Sequence, residues 1–279
     1  MHSRAQAISV WFSLGVIVIL TFFALFGDFI VPNSPIHGTL MDRLKPPLWA
    51  PGGTSKYPLG TDAVGRCILS RIISGTKYAL GVSVISILIS TAIGVTFGLM
   101  SGYFGGIADT IVMRLVDLLI SFPMILLGLL AAITLGQSAF TLTSVLVVAQ
   151  VARFARQVRG EALALREADF VAIAHVAGCS STHIIIRHLL PNVMNTVLVL
   201  MTLQVGWAIL VESSLSFLGA GIPPPAPAWG LMVADGRDYI TRAWWVSLLP
   251  GIAIMVTILA FNTLGDWIRD KYDPRLRQL

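Results

Sequence analysis

Three histidines, His175, His183 and His188, fall in one stretch at spacings of eight and five. Imidazoles this close invite a metal, but they do not form the H-x-x-x-H pair that puts two ligands on one helix face. They read as surface or interface residues, and no metal site is expected. No Ser-His-Asp order, H-E-x-x-H or cysteine cluster points to bond chemistry, and no catalytic residue is assigned. Nor does any G-x-x-x-x-G-K-[ST] loop occur to hold phosphates. The informative side chains are polar ones set in apolar sequence. Asn195, Thr202 and Gly206 recur at i, i+7 and i+11, one helical face, with Gln204 nearby and Glu212 further along. Either a water-lined path or close helix–helix packing would use such a face. Asp117 lies inside another apolar run, where an ionisable group needs a partner. Arg114, three residues earlier, is the candidate, and a role beside a path is the alternative.

What must position these residues follows from composition. Of 279 residues, 56% are hydrophobic and 12% charged, against about 25% charged in a soluble domain. Mean hydropathy is +0.82. A soluble enzyme, a disordered regulator and a secreted disulfide scaffold are excluded, the last also because Cys67 and Cys179 are the only cysteines. The net charge of +5 reads as an orientation signal in a membrane protein rather than a nucleic-acid patch.

A crossing helix needs roughly 20 apolar residues. Six such spans are predicted, at about Val10–Val31, Tyr78–Met100, 111–134, 139–156, Leu190–Val211 and Trp245–Leu264. Pro123 should kink the third. Gly136-Gln137-Ser138 separates the third from the fourth. Ser213–Ala234 holds Gly219, Gly221, Pro223, Pro224, Pro225 and Pro227, and reads as an ordered loop, with dipping into the membrane left open. Thr61 to Ser74 reads as an amphipathic interfacial helix, with Val64, Ile68 and Ile72 on one face and an Asp62–Arg66 pair. Six spans put both termini on one side. Placing them in the cytoplasm puts 11 of 19 Lys and Arg there, among them Arg4, Arg153, Arg156, Arg275 and Arg277, as the positive-inside rule requires. Trp244, Trp245 and Trp267 flank the last span, as interfacial anchors or as buried aromatics.

The segment between spans four and five is cytoplasmic in this topology. Asp169 can cap a short apolar helix with Phe170, Ile173, Val176 and Ala177, Gly178 ends it, and Ser180 or Ser181 starts the next. A short apolar helix in a water-facing loop needs a cover, either its own chain or a soluble partner.

Asp169-Phe-Val-Ala-Ile-Ala-His-Val-Ala-Gly178, nine residues, and His188-Leu-Leu-Pro191 resemble the EAA loop of binding-protein-dependent ABC importer permeases. Four further stretches resemble the shorter subunit of the dipeptide/oligopeptide/nickel permease family. They are Leu59-Gly-Thr-Asp-Ala-Val-Gly-Arg66, Gly102-Tyr-Phe-Gly-Gly-Ile-Ala-Asp109, Leu215-Ser-Phe-Leu-Gly-Ala-Gly221 with its proline run through Trp229-Gly230, and Ala260-Phe-Asn-Thr-Leu-Gly-Asp266 followed by Asp273-Pro-Arg275.

This resemblance implies an all-α polytopic membrane protein of the bacterial inner membrane, six transmembrane helices with a cytoplasmic coupling helix, the type I ABC importer transmembrane domain. Residues 1–76 would be an anchor helix and extracytoplasmic segment, and 77–279 a core permease domain with its coupling loop at 153–190. It implies a second homologous permease, two cytoplasmic ABC ATPases, an extracytoplasmic solute-binding protein and the lipid bilayer as partners. ATP and Mg would sit on the ATPases, and this chain would bind no cofactor. Asp169, Phe170, Ala172, Ile173, Ala174, Ala177, Gly178 and Pro191 would couple to an ATPase, with Arg166 and Glu167 nearby. Asn195, Thr202, Gln204 and Gly206 would line the translocation path, and Glu212 would gate it or meet the binding protein. Ala172 replaces the motif's glutamate, so coupling would rest on apolar docking and the Gly178 turn; His188 stands where the motif has an apolar residue. A stand-alone secondary transporter is the alternative, although no internal repeat is visible. A membrane enzyme ranks third.

Overall fold

The structure is a computed structural model that describes residues 4–272. Asp273, Arg275 and Arg277, used above for the last motif and for topology, lie outside the described residues. The elements are helices α1 (Arg4–Ile30), α2 (Ile68–Phe104), α3 (Gly106–Ser121), α4 (Met124–Leu135), α5 (Ala139–Arg166), α6 (Asp169–Val176), α7 (Ser181–Ile184), α8 (Leu190–Phe217), α9 (Trp229–Gly236) and α10 (Trp245–Tyr272). Among the described residues five helices are long and apolar enough to cross a membrane, and the α3–α4 pair, bent by 85°, reaches that length and hydropathy only when its two helices are taken together as a broken span or re-entrant segment. The bend falls at Phe122-Pro123, where the proline ring and its missing N–H break the helical ladder.

At the centre α2 and α5 lie almost backbone to backbone. Ser86, Ser90, Gly94, Gly98 and Gly102 recur every four residues along α2, a small-residue stripe that lets two helices approach closely. A Cβ on Gly94 would stand 2.6 Å from Phe154 Cβ, and one on Gly98 2.8 Å from both Ala155 O and Val158 Cβ. Against this pair pack α8 and α10, with α1 resting on α2 and α10. A wider π turn, Ile185–Leu189, joins α7 to α8. It relieves the clash that the ring of Pro191 would make with the carbonyl four residues earlier, so Ser181–Phe217 forms one long span.

Several helices exceed the spans read from charge-free sequence, because helical periodicity continues past the charged residues. α2 starts ten residues before Tyr78 and crosses the 76/77 boundary uninterrupted. α5 runs on to Arg166, so 153–166 is helix rather than loop. The Gly- and Pro-rich segment is also shorter than expected, since α8 extends to Phe217 and α9 begins at Trp229.

The expected helix over Thr61–Ser74 is replaced in its first half. Thr61 and Cys67 form an antiparallel bridge, and the Asp62 carboxylate accepts backbone N–H bonds from Val64 at 3.0 Å and Arg66 at 2.9 Å. These local bonds compete with a helix, and Gly65 has φ +79°, with Thr39 O 2.1 Å from where a Cβ would be. Ile68 is buried against Trp229 and Trp245 rather than lying in an interface. Trp245 is accordingly the buried alternative, its Nε1 donating to Thr61 O at 3.2 Å. The Asp62–Arg66 pair does form, at 2.6 Å, and Asp235 joins Arg66 at 3.5 Å. Buried Arg71 donates to Pro35 O at 3.1 Å. These charges clamp the 32–67 segment onto α2 and α9.

Candidate functional site

Two places combine exposure with unusual chemistry. The first is α6. Ala168 rather than Asp169 occupies the N-cap, without a side-chain cap bond, and Asp169 is the first helical residue. There its charge faces the positive end of the helix dipole. At the other end Gly178 N donates to His175 O and Cys179 N to Ala174 O, both at 3.0 Å, with Gly178 at φ +77°. This double bond pattern closes a helix on a left-handed residue. Ser180 then accepts from His183 N at 3.3 Å and starts α7.

Val171 and Ala174 are buried in one apolar cluster with Leu99, Tyr103, Val158, Ile184 and Val193, so α6 packs into the core formed by the ends of α2, α5 and α8. Its other side is bare. Phe170 is 38%, Ile173 68% and Val176 91% exposed, and Ala172, Ala177 and Gly178 are exposed beside them. The chain therefore covers one stripe of this helix and leaves an apolar stripe open, which soluble surfaces rarely do without a partner. An open cleft of about 540 Å³ adjoins it, lined by Ser180, Thr182, His183, Ile186 and Arg187.

The histidines separate. His175 stacks on Tyr103, ring centroids 6.1 Å apart and 6° from parallel, with Nε2 and the phenol oxygen 3.3 Å apart. His183 and His188 lie together, 5.9 Å between centroids, and Phe170 is 6.3 Å from His188. Arg166 pairs with Glu167 at 2.9 Å and donates to Tyr103 O at 3.4 Å. Pro191 is exposed in the first turn of α8.

The second place is the middle of the bundle, and here the sequence reading needs correction. Asp117 pairs not with Arg114 but with Arg156 of α5 at 2.6 Å, a contact between elements that sequence proximity could not indicate. Gly206 faces α10, where its Cβ would stand 2.6 Å from Asn262 Oδ1, and a Cβ on Gly265 would stand 3.1 Å from Thr202 Oγ1. At Thr202 and Gly206 the packing alternative is therefore present. Asn195 is exposed nearer the α6 end. Gln204, two residues from both Thr202 and Gly206, points to roughly the opposite side of α8 at 3.6 residues per turn. It accepts from Arg153 Nη1 at 3.4 Å, and the Arg153 guanidinium carbon sits 3.9 Å from the centre of the Trp207 ring. Glu212 is fully buried and accepts from Ser216 Oγ at 2.9 Å and Ser213 Oγ at 3.2 Å. It does not reach a surface where a second protein could touch it.

The uncharged run ends at Arg153 but the helix does not, because Ala155, Val158, Ala162 and Leu165 continue its recurrence.

Residues 94–278 match the family described as binding-protein-dependent transport system inner membrane component. The di/tripeptide transport system permease protein DppC of Pseudomonas aeruginosa is 35% identical over 93% of this chain and 86% of its own length. The dipeptide transport system permease protein DppC of Haemophilus influenzae is 36% identical over 94% and 89%. The glutathione transport system permease protein GsiD of Pectobacterium atrosepticum is 36% identical over 94% and 85%. In fold the chain resembles a crystal structure of an amino acid ABC transporter with histidines, with a TM-score of 0.51 at 15% identity, over 76% of this chain and 95% of that one. The family match rules against the stand-alone transporter, and with five apolar spanning helices, a bent helix pair and a short helix packed with the ends of α2, α5 and α8, the chain belongs to the binding-protein-dependent ABC importer permeases, as a multi-pass subunit of the type I transmembrane fold.

Proposed function

We propose that this chain passes short peptides, or similar small solutes released by an extracytoplasmic binding protein, through a path shared with a second homologous permease of the bacterial inner membrane. Both termini lie in the cytoplasm. Two ABC ATPases carry the ATP and Mg, and this chain performs no bond chemistry. The names of the relatives support the peptide class. The single observation that carries the coupling role is the bare apolar stripe Phe170, Ile173 and Val176 on a helix whose opposite stripe is buried against three spans.

An ATPase groove covering that stripe buries apolar surface on one side and presses on α2, α5 and α8 on the other. The stroke enters as contacts that differ between two states of the assembly. Asp169, Ala172, Ala174, Ala177 and Gly178 shape that docking helix, and Pro191 sets the entry to α8. Gln204, rather than the Thr202–Gly206 side, faces the path, and Glu212 fixes the α8 end from within.

Purification of tagged chain from its host in mild detergent, followed by mass spectrometry, tests this. A second permease and P-loop ATPases are expected to come along. The I173E and A177E variants should keep the permease and lose the ATPases at least tenfold, since a desolvated carboxylate in an apolar contact costs more than one decade of affinity. A chain that purifies alone and moves solute in liposomes without ATP overturns the reading.

A further inference from the structure

Arg153 lies within α5, a helix long and apolar enough to cross a membrane. Its neighbour Phe154 meets Gly94 of α2, 17 residues after Lys77 and seven before Ser101, to which Asp109 folds back and bonds. An arginine inside a spanning helix is costly unless paired or facing water. The other α5 arginines have acids: Arg156 has Asp117 at 2.6 Å and Arg159 has Asp109 at 2.5 Å. Among the described residues no carboxylate lies within 4.0 Å of Arg153. Instead the guanidinium carbon lies over Trp207, 3.9 Å from the ring centre, and one N–H reaches Gln204 Oε1. The ring holds the cation without neutralising it, and Gln204 fixes its rotation. Of five N–H donors one is used, and the remaining fork has the geometry that binds a carboxylate with two parallel bonds. The side chain is exposed in the single chain.

We propose that Arg153, held by Trp207 and Gln204, binds the carboxylate of the translocated solute on its way along α5 and α8. This rests on the peptide-importer reading and deepens it, since a short peptide always brings a C-terminal carboxylate. The site selects anionic or zwitterionic solutes over amides and amines of the same size. Trp207 and Gln204 act as positioning residues, and Arg153 is the group in contact with solute.

The whole complex, with its second permease, ATPases and binding protein, is reconstituted in proteoliposomes and supplied with radiolabelled dialanine. ATP-driven uptake by wild type establishes the importer reading; no uptake by wild type removes that reading, and this inference with it. Given uptake, R153M is expected to lower its rate by about ten- to a hundredfold, the range for losing a charge-assisted hydrogen-bond pair. R153K should recover part of it, while the subunits co-purify and the melting temperature is unchanged. Q204E places a fixed carboxylate beside the guanidinium, competes with the solute and should lower uptake comparably. Wild-type uptake by R153M overturns the proposal. So does loss of subunits or of melting temperature in R153M that R153K restores, which assigns Arg153 to a carboxylate of the second permease instead.

Discussion

Asp42, in the segment between α1 and α2, receives bonds from Lys45 Nζ at 2.5 Å and the Tyr57 hydroxyl at 2.7 Å, with Lys56 at 3.4 Å. The bonds from Lys45 and Tyr57 lower its pKa to about 2 from an ordinary 3.8. A depressed carboxylate stabilises the fold fully above its unfolded pKa, and loses that contribution as pH falls through the folded one. Asp42→Asn is therefore expected to lower the melting temperature at pH 7, and the gap from wild type should narrow from about pH 4 toward pH 2. Thermal unfolding of both proteins across that range checks it; a gap that widens on acidification contradicts the assignment. At this scale the sequence was readable only for local partners. Asp62 with Arg66, and the Gly178 turn, involve residues five apart or fewer. Asp117 with Arg156, and Arg153 with Gln204, join residues 39 and 51 apart, and nothing along the chain ties them together.

Helices were legible where hydropathy alone decides them and misjudged where tertiary packing does. Five spanning helices and the bent α3–α4 pair fall where apolar runs predict spans, and Pro123 announces its own bend. Thr61–Ser74 misled because its apolar spacing is helical, yet Gly65 at a left-handed φ and the Asp62 carboxylate take the backbone elsewhere. The Ser and Gly stripe on α2 is the strongest element-level constraint. Gly98→Val would force side-chain atoms into Ala155 O and Val158, an overpacking that costs about 1–3 kcal/mol or more against backbone. It should lower the melting temperature of the purified complex by several degrees. Gly160, on the same helix pair, has nothing within 4 Å of an added Cβ, so Gly160→Ala is expected to leave it unchanged or raise it slightly. Equal effects from the two would show that α2–α5 contact is not what limits stability.

As a whole the chain is unfinished as a membrane object. The α5 flank carries Arg153, Arg156 and Gln157, and α3 adds Asp117, all exposed in the single chain on helices of the bundle. Lipid does not accept such a face, but protein or a water-filled passage does. Expressed without a partner permease, the chain is expected to be degraded several-fold faster in a pulse-chase than with one, as subunits with uncovered interfaces are. Equal lifetimes would mean that this flank is satisfied by the chain itself. The long spans also fix a mechanical scale. α2 has 37 residues, roughly 55 Å of rod at 1.5 Å per residue, and its glycine stripe locks α5 alongside it. Since α6 bears on the near ends of both, a tilt of about 5° there displaces their far ends by about 5 Å over that length. In the proposed coupling, a small docking movement on α6 thus becomes, at the far ends of α2 and α5, a displacement as wide as a peptide backbone.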